Sequence, residues 1–200
     1  SLSIENLKAE GYEDVSIINY LINIGSSEDI KPETISDKIV ENFDIKNIST
    51  SSAKFSEVVL KSLNADILKN YKFEQVSNRI NFINSDIDLE KLWIFSHNNI
   101  FFIKDIIFWS KIIRETFDVN EYDIPEYFIQ TAVENIPEEP FNYESWDIWT
   151  KSISEKTGLK GKNLFMPLRL ILTGKDKGPE LKNFLPLLDK QTLLRKFGKT

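Results

Sequence analysis

The chain reads as all-α, a helical bundle or cage of about ten helices in two or three subdomains. Three observations carry this. Apolar residues recur at three- and four-residue spacing along nearly the whole length. Alternation at period two is nowhere sustained, so strands have no support. Seven glycines and seven prolines fall mostly between the periodic segments and punctuate them.

EDVSIINYLINI, Glu13 to Ile24, puts Val15, Ile18, Leu21 and Ile22 on one stripe, with Gly25 as its stop. Pro32-Glu33-Thr34 opens a second helix that ends near Phe43. Ser49-Thr50-Ser51-Ser52 supplies N-cap hydroxyls, and FSEVVLKSLNADIL, Phe55 to Leu68, follows as a helix. Further helices are expected over 73–82, 87–97, 102–116, 124–136, 143–156, 163–173, 179–188 and 190–197. Boundaries suggest themselves at Asn70-Tyr71-Lys72 and, more strongly, at Ile136-Pro137-Glu138-Glu139-Pro140, where two prolines end a helix and stiffen a link. No period of 30–45 residues repeats, which removes the common solenoids.

At 41% hydrophobic and 28% charged the composition is that of a globular protein. No apolar run approaches the ~18–20 residues that span a bilayer, and Ser1 opens no signal peptide, so the cytoplasm is the expected compartment. With no cysteine there is no thiolate chemistry, and a single histidine, His97, leaves no histidine-based metal site. The net charge of −6 hides an asymmetry. Residues 151–200 carry twelve Lys/Arg against four Asp/Glu, a net +8, while residues 1–150 carry thirteen against twenty-seven, a net −14. A basic quarter on an acidic body suits local anion binding; a solvated basic face is the plainer reading.

Within that quarter, NLFMPLRLILTGKDKGPELKNF (Asn163 to Phe184) sets a guanidinium into an apolar run. With Asn163 as N-cap, Pro167 falls about one turn in. Leu164, Leu168, Ile171 and Leu172 form one face, widened by Phe165 and Met166, and Arg169 lies on its margin. There it serves an internal ion pair, the cap of a neighbouring helix or an external anion. Gly174-Lys175-Asp176-Lys177-Gly178 follows as a flexible loop, and Pro179-Glu180 reads as a helix start whose free amides would add to a positive site for a phosphate or a base edge.

PLRLILTGKDKGPEL (Pro167 to Leu181), followed by LLDKQTLLRKF (Leu187 to Phe197), closely resembles the C-terminal end of bacterial glutamyl-tRNA synthetases. There a Pro-Leu-Arg, Thr-Gly, Gly-Pro-x-Leu pattern lies in the second anticodon-binding subdomain. LKAEGYEDVSIINYLINIGSS (Leu7 to Ser27) resembles the family's segment just after its second catalytic motif, and FDIKNISTSSAKFSEVVLKSLN (Phe43 to Asn64) is similar to the piece after that. The middle, 72–150, agrees in length and helicity but not in distinctive letters.

The resemblance implies a stem-contact helical domain over 1–70 and two anticodon-binding subdomains, 71–137 and 138–200. The activity it implies is ATP-dependent attachment of glutamate to tRNA. The family's "HIGH"-like and "KLSKR"-like motifs do not occur in this sequence, so ATP and Mg belong to a catalytic half outside these residues, which alone are expected to be inactive. The partner implied is tRNA for glutamate, with no DNA or membrane, bound by a monomer. Arg169 matches a family arginine that contacts an anticodon base, Leu181 a leucine at the anticodon surface, and Lys151 a position where some members place an arginine. Lys175, Lys177 and Lys182 would hold phosphates. Members restricted to glutamate tRNA carry an arginine near the position of Asn99; none lies between Arg79 and Arg114 here, which points to acceptance of glutamine tRNA as well, unless another residue discriminates. The other reading is a non-catalytic helical adaptor descended from such a domain.

Other candidates have plainer explanations. His97 lacks the partners of a catalytic base and reads as a surface or helix-end residue. Trp93, Trp109, Trp146 and Trp149 read as core, with base stacking as the alternative for the last two. Pro137 to Pro140, with Glu134 and Glu144 nearby, reads as solvated linker rather than a metal site. The run from Phe101-Phe102 to Phe108-Trp109 reads as one buried helix.

Overall fold

The computed structural model describes residues 3–25, 55–84 and 86–200. Among them every regular element is helical, as expected for an all-α chain. They form two units, Ser1–Gln75 with Ile100–Asp105, and Val76–Asn99 with Ile106–Thr200. The helix expected from Pro32 and the cap hydroxyls at Ser49–Ser52 lie outside the described residues.

In the first unit, α1 (Ile4–Glu10) has no counterpart in the sequence reading, because two turns hold too few apolar positions to show a period. Ser3 caps it, its hydroxyl accepting from the Asn6 N–H at 3.1 Å. α2 (Asp14–Gly25) packs on α3 (Glu57–Lys69). Leu7, Tyr12, Ile17, Tyr20, Leu21 and Leu60 form the core. Ile18 and Leu21 of the expected α2 stripe are buried, but Val15 and Ile22 only partly so; Ile17 and Tyr20 take their place in a wider buried arc. Buried Asn64 fixes the unit: its carbonyl oxygen accepts from the Glu13 N–H at 2.8 Å and its amide donates to the Phe101 carbonyl.

The second unit contains α5 (Leu89–Ser96), α6 (Ile106–Ile112), α7 (Glu126–Glu134), α8 (Tyr143–Thr157), α9 (Lys162–Thr173) and α10 (Lys190–Lys196). Before them, α4 (Phe73–Val76) and a 3-10 turn at Ser77–Arg79 stand where a helix over 73–82 is expected. α8 opens with a capping box between Asn142 and Ser145. It buries Trp149, whose indole N–H donates to the Ala132 carbonyl of α7 at 2.8 Å. All four tryptophans are buried, as expected. Packing runs across the proline pair: Asn135 accepts from the Ser152 hydroxyl at 3.0 Å, and the Glu139 carboxylate accepts from the Lys190 N–H at the head of α10.

Three expectations are corrected. The stretch 179–188 is not an α-helix but two 3-10 turns, Leu181–Asn183 and Leu185–Leu187. Pro186 has no N–H for a helical ladder and disfavours helical geometry at Leu185, while Leu181, Phe184, Leu185 and Leu188 all turn inward. The stretch 102–116 is not one buried helix. The Asp105 carboxylate accepts from the N–H groups of Phe101 and Phe102, both at 3.0 Å, and closes a separate turn before α6; Phe101 and Phe108 are 47% and 46% exposed. Finally, α9 starts at Lys162 behind Gly161, one residue before the expected cap Asn163.

Lys196 is fully buried in the second unit. Its ammonium donates to the carbonyls of Ile112 at 2.8 Å, Glu115 at 2.6 Å and Leu172 at 3.0 Å. These lie at the C-terminal ends of α6 and α9, where carbonyls lack helical partners and the dipole favours a cation. Burial pushes its pKa down to about 7, against the opposing pull of Glu115. Among the described residues no helix is long and apolar enough to cross a membrane.

Candidate nucleic-acid interface

The site grows out of α9. Its apolar positions Leu164, Leu168, Ile171 and Leu172 recur at helical spacing, and all four are buried. That burial sets the opposite flank of the helix toward solvent. Phe165, expected to widen the buried face, is 43% exposed instead, and Arg169 is half-buried on the margin. Thr173 shapes the exit: its hydroxyl donates to the Arg169 carbonyl at 2.8 Å and accepts from the Lys175 N–H at 3.2 Å.

The two loop glycines are held by close packing rather than present for flexibility. Gly174 ends α9 at φ 66°, where a β-carbon would meet the Phe117 ring at 2.4 Å. Gly178 has φ 149°; a β-carbon there would lie 2.8 Å from Trp109 Cη2 and 3.6 Å from Arg169 Nη1. The bare backbone at Gly178 is what lets the loop close over Trp109 beside the guanidinium.

Arg169 has no ion pair among the described residues, and its Nη1 is a buried donor without a hydrogen-bond partner. Burial alone holds its pKa below the ordinary value for arginine. An internal salt bridge, the plainest of the three roles open to this residue, is therefore not formed there. A buried donor left unsatisfied costs about 1–3 kcal/mol, more when charged. The loop side chains Lys175 and Lys177 are exposed, as is Lys182 in the turn that follows; Asp176 and Glu180 are the acids among them.

Pro179-Glu180 does not start a helix, so no helix dipole adds to this positive charge; only the three-residue turn Leu181–Asn183 follows. Leu181 is 5% exposed and anchors that turn in the core. Lys151, exposed on α8, lines a separate groove with Asp147, Lys160 and Phe165. Asn99 is exposed in the turn His97–Asn99 at the end of α5. His97 is a helix-end residue, its ring stacked on Trp93 at 5.6 Å. The structure thus brings Arg169 and the Lys175–Gly178 loop together and leaves Lys151 in its own groove.

Two residues of the site escape sequence reading. Phe108 and Trp109 meet edge to face at 4.9 Å, and the Lys175 ammonium lies 5.6 Å from the centre of the Phe108 ring. Only the fold joins them to a loop more than sixty residues away. The outcome is a half-buried, partner-free guanidinium, an exposed aromatic ring and exposed lysines on one stretch of surface. Such a set offers planar hydrogen bonding, a stacking face and phosphate contacts.

Comparison with known proteins agrees with that chemistry. Residues 94–199 match the family described as anticodon binding domain. The chain is 34% identical over 197 residues to glutamate–tRNA ligase 1 of Bartonella quintana, covering 96% of this chain and 42% of that protein. It is 32% identical over 194 residues to glutamate–tRNA ligase 1 of Rickettsia felis, covering 96% and 43%. It thus spans less than half the length of these curated relatives. In fold it is similar to the crystal structure of glutamate-tRNA synthetase from Elizabethkingia anophelis, with a TM-score of 0.70 at 23% identity over 96% of this chain and 41% of that one. The chain belongs to the anticodon-binding domain family, and along nearly its whole length it is similar to the C-terminal, anticodon-binding part of glutamate–tRNA ligases.

Proposed function

We propose that these residues are the tRNA-recognising region of a glutamate–tRNA ligase acting in the cytoplasm as a monomer. The observation that carries this reading is Arg169, a cationic fork with no internal acid, set beside a lysine loop in a member of an anticodon-binding family. In this reading Arg169 takes the edge of an anticodon base, and buried Leu181 holds the turn that follows the lysine loop. Lys175, Lys177 and Lys182 hold phosphates, and Lys151 adds a weaker contact from α8. Residues 1–70 meet the tRNA stem; 71–137 and 138–200 share the anticodon.

Glutamate activation by ATP with Mg belongs to the catalytic part of such a ligase. Among the described residues no three His, Cys, Asp or Glu side chains gather as a divalent ion requires. Asn99 stands near the position read as discriminating. A neutral side chain there supports acceptance of glutamine tRNA besides glutamate tRNA.

The test is a binding titration of the 200-residue chain with tRNA-Glu and tRNA-Gln transcripts at several salt concentrations. Tight binding of both, falling linearly in log–log form with salt, is expected. Affinity no better than for an unrelated RNA, at any salt, refutes the reading and leaves a protein-binding adaptor.

A further inference from the structure

We propose that Phe108 is a stacking platform for an unpaired anticodon base, working beside Arg169; this rests on the tRNA-binding reading above. None of the residues matched to the family's anticodon or phosphate contacts carries an aromatic ring. Lys175, Lys177 and Lys182 are point charges, Leu181 is buried, and Arg169 is half-buried on the margin of its helix.

Phe108 supplies what is missing. It is 46% exposed, next to Ile107 at 38%, although buried Ile106 and buried Trp109 flank the pair. A half-exposed phenylalanine loses burial energy unless something covers it. The ring is held rather than loose, because Trp109 meets it edge to face at 4.9 Å. Trp109 in turn lies under Gly178, the glycine beside Arg169 Nη1. Ring, indole, loop backbone and guanidinium therefore form one continuous path. The Lys175 ammonium rests 5.6 Å from the ring centre, where a base would stack. When a nucleotide arrives, its phosphate gives that ammonium a stronger partner and the ring face is freed for the base. Neighbouring Asp176 and Glu180 are outnumbered by Lys175, Lys177, Lys182 and Arg169, so the surface favours a polyanion over a basic or apolar partner.

The experiment uses the full chain and a tRNA-Glu transcript carrying 2-aminopurine at an anticodon position, read by affinity and by fluorescence quenching on binding. Phe108→Ala should weaken binding roughly tenfold and abolish the protein-dependent quenching. Phe108→Trp should keep both within about twofold, because the requirement is a π-face. The slope of affinity against salt should not change, since no charge is removed. Phe108→Leu separates stacking from packing: it should behave like the alanine variant while melting like wild type. If Phe108→Leu or Phe108→Ala binds and quenches as wild type does while Arg169→Ala is weakened, the platform is refuted and the tRNA-binding reading stands. If wild type itself binds no better than to unrelated RNA, both fall.

Discussion

The Lys196 ammonium and the Leu172 carbonyl lie 3.0 Å apart inside the second unit, a hydrogen bond that ties α10 to the end of α9 one residue before Thr173. Through Thr173 the bond reaches the backbone of Arg169 and Lys175. The frame of the candidate site thus rests on a buried cation that takes no part in binding. Replacing it with an apolar side chain of similar length strands three helix-end carbonyls. Lys196→Met should cost about 2–4 kcal/mol in chemical denaturation. A loss below half a kcal/mol would show that those carbonyls find other donors.

The same lysine gives a pH signature. Its pKa is pushed down to about 7 in the folded chain from the ordinary 10.5. Between those values the unfolded chain binds the extra proton, so the contribution of Lys196 to stability rises with pH across that window. Its penalty is fully present below pH ~7 and gone above pH ~10.5. The denaturation midpoint of wild type relative to Lys196→Met should therefore climb between pH 6.5 and 9.5. A difference that is flat or falls over that range contradicts a depressed pKa.

Gly174 gives a steric test. At φ 66° a β-carbon is strained, and this one would meet Phe117 at 2.4 Å. Gly174→Ala should destabilise the chain by about 2–4 kcal/mol, more than the 1–2 expected from backbone strain alone. Pairing it with Phe117→Leu should recover part of the loss. Absence of any recovery would mean that the ring is not the obstacle.

The legible parts of this fold are those set by neighbours in sequence. The stripe Leu164, Leu168, Ile171 and Leu172 shows α9 because a helix repeats its face every three or four residues. Arg169 stands out because it interrupts that local pattern. What stays hidden depends on distant partners. The acceptors of Lys196 lie on other elements, so it reads as one more basic residue in a tail. Phe108 reads as core because its exposure depends on what packs around α6. Gly174 and Gly178 look flexible until Phe117 and Trp109 are placed beneath them. Residues 179–188 mislead for a local reason: Gly-Pro-Glu reads as a helix start, but Pro186 forbids the helix that should follow.

The most direct test of the account compares Arg169→Ala with wild type on two RNAs, a tRNA-Glu transcript and the same transcript with its anticodon exchanged. If Arg169 reads an anticodon base, the substitution weakens cognate binding by roughly tenfold or more and changes binding of the exchanged transcript little, so the preference collapses. An equal loss on both would make Arg169 a phosphate contact, and an unchanged preference would contradict its role in reading the anticodon.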